Sequence, residues 1–178
     1  MVQSRVEKLS SFLFSLSVAD WGIADISGLH PLSEAFPKAL SVLVPYSPGF
    51  KDYTEKDFHN TLKKVNALTD DILSEISGFF QSERIKYRYI PQGGQDPESL
   101  LALFPHKLAA VRAGLGWIGK SSLLITRKYG PRVRLSTVLI DWDILCSEPV
   151  VHYFAVSGGI SGTVLQNLSR RKRYDPDQ

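Results

Sequence analysis

Arg112-Ala113-Gly114-Leu115-Gly116-Trp117-Ile118-Gly119-Lys120-Ser121-Ser122, followed by Leu123-Leu124-Ile125, is the stretch on which the fold turns. Gly114, Gly116 and Gly119 satisfy G-x-G-x-x-G, and Gly114 through Ser121 satisfy G-x-x-x-x-G-K-S. Either pattern cradles phosphate only when a strand precedes the glycines and a helix follows them. Here the order is reversed. Pro105 to Ala113 reads as a short helix, with proline at its start and Gly114 at its stop. Ser122 to Thr126 is too short for a helix and reads as a buried strand. A helix–glycine loop–strand is neither nucleotide motif.

Glycines this dense cost chain entropy and are used where φ is positive or a Cβ would collide with a neighbour. Two readings follow. The loop packs tightly under a sheet, with Trp117 and Ile118 as core plugs, or it is a platform for a large flat ligand whose polar edge meets Lys120 and Ser121.

The run from Phe104 to Asp141 resembles the epoxyqueuosine reductase family and its sister iron–sulfur proteins. The segment Ala113-Gly114-Leu115-Gly116-Trp117-Ile118-Gly119-Lys120 carries the resemblance, which is close over residues 104–141 and loose over 20–141. It implies an α+β, nitroreductase-like sheet that holds cobalamin against the glycine loop. By position, it places corrinoid contacts at Arg112, Gly114, Gly116, Trp117, Gly119, Lys120 and Ser121. It also implies a catalytic aspartate shortly before Arg112 and a following module with two 4Fe-4S clusters. Leu100 stands where that aspartate is expected, with Asp96 and Glu98 nearby, so the catalytic residue is unknown. Phe104-Pro105-His106-Lys107 looks more like the sister group.

The cluster motifs are missing as well. Cys146 is the single cysteine, which excludes an internal disulfide and any all-cysteine cluster within the chain, and favours the cytoplasm. Reduction of a bound corrinoid would then need a separate ferredoxin-type donor. The expected division is a corrinoid-binding-like domain over residues 1–142 and a divergent tail over 143–178. Val164-Leu165-Gln166-Asn167-Leu168-Ser169-Arg170-Arg171 can be encoded so that a one-base shift reads Cys-Cys-Arg-Thr-Cys-Pro-Ala-Gly, the end of a family cluster motif. On that reading the tail is a frameshifted remnant of a ferredoxin module and the product is truncated, inactive alone.

With 178 residues, 43% of them hydrophobic and 22% charged, the chain has the make-up of one globular domain with a sizeable core. The net charge of +3 is concentrated at Arg170-Arg171-Lys172-Arg173, so the body is not a general nucleic-acid or membrane binder. An RNA-associated module using that basic tail is one alternative function. A nitroreductase-like flavin protein, seating a flat ring on the same platform, is the other. His30, His59, His106 and His152 lie on separate elements without metal-ligand spacing, so no metal site is expected. His106 and Lys107 stand one helix from the glycines.

Val6, Leu9, Leu13 and Leu16 recur at helical spacing, a better account of the first residues than a signal peptide. No apolar run is long enough to span a membrane. Strands are expected at Trp21–Ile26, Ala39–Val44, Ile85–Ile90 and Val133–Ile140, with a helical turn over Leu32–Lys38. A helix from Thr54, its N-cap, to Gln81 presents Phe58, Leu62, Val65, Leu68, Ile72, Ile76 and Phe79 as one stripe. A further helical segment is expected over 96–103. Helices alternating with strands predict an α/β or α+β fold with one mixed, partly antiparallel sheet.

Overall fold

Ala39-Leu40-Ser41-Val42-Leu43-Val44 offers bulk to both sides of a strand, and it becomes the centre of the molecule. A computed structural model of the chain describes residues 2–16, 18–46, 54–90 and 104–149. In it, β2 (Lys38–Pro45) lies between β1 (Asp20–Asp25) and β6 (Val133–Asp141), and β3 (Lys86–Tyr89) completes the order β1-β2-β6-β3. The fold is α+β, as expected. Every pairing among the described strands is antiparallel, so the expected mixture of directions is absent there.

Alternation along the strands separates two cores. Leu40, Val42 and Val44 of β2 join Val138 and Ile140 of β6 beneath two helices, α1 (Val2–Ser15) and α2 (Glu55–Ser82). Ala39, Leu43 and Leu139 point the other way, toward Ala109, Ala110 and Ala113 of the segment around α3 (His106–Arg112). The α1 stripe is seated as its spacing predicts, with Leu9 and Leu13 fully buried.

Thr54 caps α2 in a reciprocal box: its Oγ1 accepts from the Asp57 N–H at 3.2 Å, and Asp57 Oδ2 accepts from the Thr54 N–H at 3.2 Å. Past the end of the helix, Arg84 with φ 56° turns the chain so that the Ile85 N–H reaches the Phe80 carbonyl at 2.9 Å. Val65, Ile72, Ile76 and Phe80 form the buried stripe, while Phe58 is 51% and Leu68 38% exposed, contrary to expectation. Length explains Phe58. An α2 of 28 residues is roughly 42 Å long, whereas nine-residue β6 is roughly 30 Å, so the helix overruns the sheet. Phe79 stacks on Phe12 at 4.7 Å instead of entering the deep core, and Phe80 takes that place.

Two local features differ from the sequence reading. A single 3-10 turn occupies Pro31–Glu34, started by His30, whose Nδ1 accepts from the Leu32 N–H at 3.2 Å. The strand expected over 122–126 is only β5 (Leu124–Ile125), paired with β4 (Trp117–Ile118) in a separate hairpin. The glycine segment is therefore a helix running into a hairpin.

Residues 143–149, assigned by sequence to the tail, lie against the body. Ile144 is buried, Lys38 donates to its carbonyl, and Ser147 bonds Ile23 twice: N–H to carbonyl at 2.8 Å, and Oγ accepting from the Ile23 N–H at 3.0 Å. The expected helical segment at 96–103 with Leu100, Asp96 and Glu98, His152, the glycine-rich stretch 158–162 and the basic run 170–173 lie outside the described residues. Among the described residues no helix is long and apolar enough to cross a membrane.

Candidate functional site

Alanine at 109, 110 and 113 lets α3 settle low on the sheet. A Cβ on Gly22 of β1 would meet the Ala113 carbonyl oxygen at 2.3 Å, so the approach of main chain to main chain is complete. Arg112 fastens it, its Nη1 donating to the carbonyls of Asp25 at 3.1 Å and Ser27 at 3.2 Å. The residue placed by resemblance at a corrinoid is thus engaged in holding helix to strand.

The glycines behave alike. Gly114 ends α3 with φ +77°, and a Cβ there would lie 2.3 Å from the Glu148 carbonyl oxygen. A Cβ on Gly116, at φ +157°, would lie 2.2 Å from the Ile125 carbonyl oxygen, and one on Gly119 would press on the Ile125 side chain at 2.9 Å. The room that each glycine makes is filled by protein. The packing reading therefore describes these positions, but its core plugs do not hold: Ile118 is 41% exposed and Trp117 partly exposed. Lys120 and Ser121 stand exposed at the hairpin tip, closed by bonds from the Gly119 N–H to Leu123 and from the Ser122 N–H to Gly119, both 2.9 Å.

The open space lies beside this hairpin. β3 is short and pairs only with Val138–Asp141, so among the described strands nothing flanks the first half of β6 on that side. A hollow of about 540 Å³ occurs here, within the usual range of ligand sites. Tyr46 after β2, Phe58 on the overrunning turn of α2, His106 and Lys107 on α3, Leu123 and Leu124 of the hairpin, Pro131 and Arg132 just before β6, and Val133, Arg134 and Leu135 at its start line it. Lys107 Nζ donates to the Ser122 carbonyl at 2.7 Å, tying the hairpin tip to α3. Arg134 Nε is buried without a hydrogen-bond partner. None of the described lining residues is acidic.

Sequence reasoning picked out His106 and Lys107 near this place but missed Tyr46, Arg132 and Arg134, and it assigned Phe58 to the core. The available signal was Phe58 itself, a large apolar residue only four positions after the N-cap of a very long helix. Among the described residues no group of three or more His, Cys, Asp or Glu is placed to hold a metal. Cys146 is exposed on the segment after β6, outside the lining of the hollow, and partial desolvation pushes its thiol pKa up.

No known family profile matches the chain. A tetrachloroethene reductive dehalogenase of Desulfitobacterium hafniense is 48% identical over 40 residues, which is 22% of this chain and 7% of that protein. An epoxyqueuosine reductase of Gloeobacter violaceus is 45% identical over 47 residues, 26% of this chain and 15% of that protein. The matched stretches are thus small parts of the curated relatives. Among solved structures, an epoxyqueuosine reductase with an epoxyqueuosine-modified tRNA-Tyr stem loop superposes with a TM-score of 0.56 at 17% identity, over 84% of this chain and 48% of the other. A reductive dehalogenase solved in a study of B12-dependent dehalogenation gives 0.63 at 14% identity, over 82% of this chain and 22% of the other. In short stretches of sequence, and in fold over more than four fifths of its length, the chain is similar to the epoxyqueuosine reductases and the reductive dehalogenases.

Proposed function

We propose that this chain is the corrinoid-binding module of an oxidoreductase of the epoxyqueuosine reductase and reductive dehalogenase kind. The observation that carries this reading is that one fold recurs in two groups of reductases, of which one is tied to B12. An α+β domain common to both is best explained by the cofactor chemistry that they need in common, since their substrates, a modified tRNA and a halogenated compound, share nothing.

The residues present fit such a group in the hollow, not on the glycines, whose faces are occupied by protein. Tyr46, Phe58, Leu123, Pro131 and Leu135 give an apolar wall for a broad ring. On this reading Lys120 and Ser121, exposed on the turn beside Leu123 but outside the lining of the hollow, meet polar groups on the ring's edge. A bound corrinoid supplies a reducible cobalt centre. This chain's own part is to seat the ring, fix its orientation and keep water from one face. With one cysteine, these 178 residues offer no set of cluster ligands, so electrons reach the cobalt from clusters held outside them.

Titration of the full chain with hydroxocobalamin and, separately, with FMN, followed by absorbance, tests the reading. A saturable shift of the corrinoid bands is expected, with no change for FMN. A shift with FMN alone replaces the corrinoid by a flavin, and no shift with either removes the cofactor assignment.

A further inference from the structure

We infer that the tip of the β4–β5 hairpin, residues 119–123, is a gate on the hollow, latched by the bond from Lys107 Nζ to the Ser122 carbonyl. The inference rests on the corrinoid reading above and names the wall that yields when the cofactor enters or leaves.

The walls of the hollow are not held alike. Val133, Arg134 and Leu135 belong to β6, which β2 pairs along its length. Phe58 sits on α2, whose later turns carry Val65, Ile72 and Ile76 into the core. Lys107 stands on α3, pinned by Phe104, fully buried just before it, and by its buried alanines. The hairpin is different. Its strands have two residues each and, among the described strands, pair only with each other, outside the main sheet. A hairpin of that kind has little stability of its own.

Its base is firm. There the Gly116 main chain closes on the Ile125 carbonyl, and the Leu115 N–H reaches the Ala110 carbonyl at 3.0 Å. Its tip is not. The bonds from Gly119 to Leu123 and from Ser122 to Gly119 are internal to the tip. Among the described residues, the one hydrogen bond tying residues 119–123 to another element is that from Lys107, at 2.7 Å. The tip is also strained. Lys120, Ser121 and Ser122 form a loop whose last residue turns left-handed, a place that suits glycine, and Ser122 takes it with φ +60°.

An exposed, strained segment on a firm base opens before the elements around it, and such segments are the ones that move to admit ligands. Leu123 lines the hollow from this tip, so swinging the tip away opens one wall while β6, α2 and α3 stay in place. The latch then sets how often the wall is open. A gate has a signature that a ligand contact lacks: loosening it speeds entry and exit alike and leaves the affinity where it was, whereas loss of a contact speeds exit alone.

The test uses the full chain, Lys107→Met and Lys107→Arg. Amide exchange is measured at Gly119 and Ser122 without corrinoid. Association and dissociation of hydroxocobalamin are followed by stopped-flow absorbance at high salt, where the charge lost in Lys107→Met is screened. Lys107→Met should speed exchange at both amides by roughly threefold to tenfold, the worth of one hydrogen bond, and leave exchange in β2 unchanged. It should raise both rate constants by a similar factor and hold the dissociation constant to within about twofold. Lys107→Arg, which keeps a donor, should stay close to wild type. Thermal melts check that the variants fold. Unchanged exchange at the tip of a folded Lys107→Met overturns the inference and leaves the corrinoid reading standing. So does faster dissociation with association unchanged, which makes Lys107 a contact and not a latch. No binding of hydroxocobalamin to the wild type overturns the corrinoid reading, and this inference with it.

Discussion

The Glu148 carbonyl oxygen occupies the space that a side chain on Gly114 would need, 2.3 Å from where its Cβ would be. Because Gly114 also has φ +77°, alanine there is strained by its own backbone as well as by its neighbour. Gly114→Ala is expected to cost about 2–4 kcal/mol of unfolding free energy, measured by urea denaturation. A variant as stable as wild type would show that the segment 143–149 does not lie on the helix end as described.

Gly78 makes the opposite case. It is exposed on α2 with nothing within 4 Å of its added Cβ, so the glycine there only loosens the unfolded chain. Gly78→Ala should raise stability by about 0.5–1 kcal/mol in the same measurement. The pair separates glycines required by packing from glycines that are merely tolerated.

How much of this could be read beforehand differs by feature. The strands β2 and β6 were legible because short, mostly apolar and β-branched runs bounded by turn residues leave few other solutions, and α2 because Thr54 and Asp57 mark its start. The turn between helix and hairpin was visible in Gly114. What filled the glycines' space was not, because Ile125 and Glu148 reach it through tertiary packing that no local pattern encodes. The hollow was hidden for the same reason. Tyr46, Phe58, Lys107 and Arg134 are remote in sequence and meet only because α2 overruns the sheet and β3 stops short. An apolar stripe tells which side of a helix is covered, and it does not tell where the cover ends.

Ser147 holds the segment after β6 to the outer edge of β1. Its Oγ is the acceptor for the Ile23 N–H, and Ser147→Ala leaves that part-buried donor unpaired. A loss of about 1–2 kcal/mol is expected, with faster amide exchange at Ile23 as the local signature. Unchanged exchange at Ile23 would mean that another group takes the place of the hydroxyl.

Asp57 gives a pH dependence of known sign. Its bonds to the Thr54 hydroxyl and main chain hold its carboxyl below the ordinary value of 3.8. A group depressed in the folded state adds stability above its unfolded pKa and loses it as pH falls through the folded one. The wild type should therefore lose more stability than Asp57→Asn when pH is lowered from neutrality to below the ordinary aspartate range. Denaturation midpoints at the two pH values measure this, and parallel losses in both proteins would remove the capping contribution. The effect is confined to acid and leaves neutral-pH ligand binding untouched.

Arg112 decides between two roles for a residue of the glycine segment. Its Nη1 donates to the carbonyls of Asp25, at the end of β1, and Ser27, just beyond it, a distance that the shorter lysine side chain does not span from the same backbone. As a clamp, Arg112→Lys should lower stability by about 1–2 kcal/mol in the absence of any corrinoid. Corrinoid affinity, measured well below the melting temperature, should then stay within a few-fold of wild type. As a ligand contact, the same change would spare the apo protein and cost affinity instead. Because the guanidinium faces main chain on β1 while the hollow lies across α3 beside Lys107, the first pattern is the expected one. The second would return the corrinoid to the glycine hairpin.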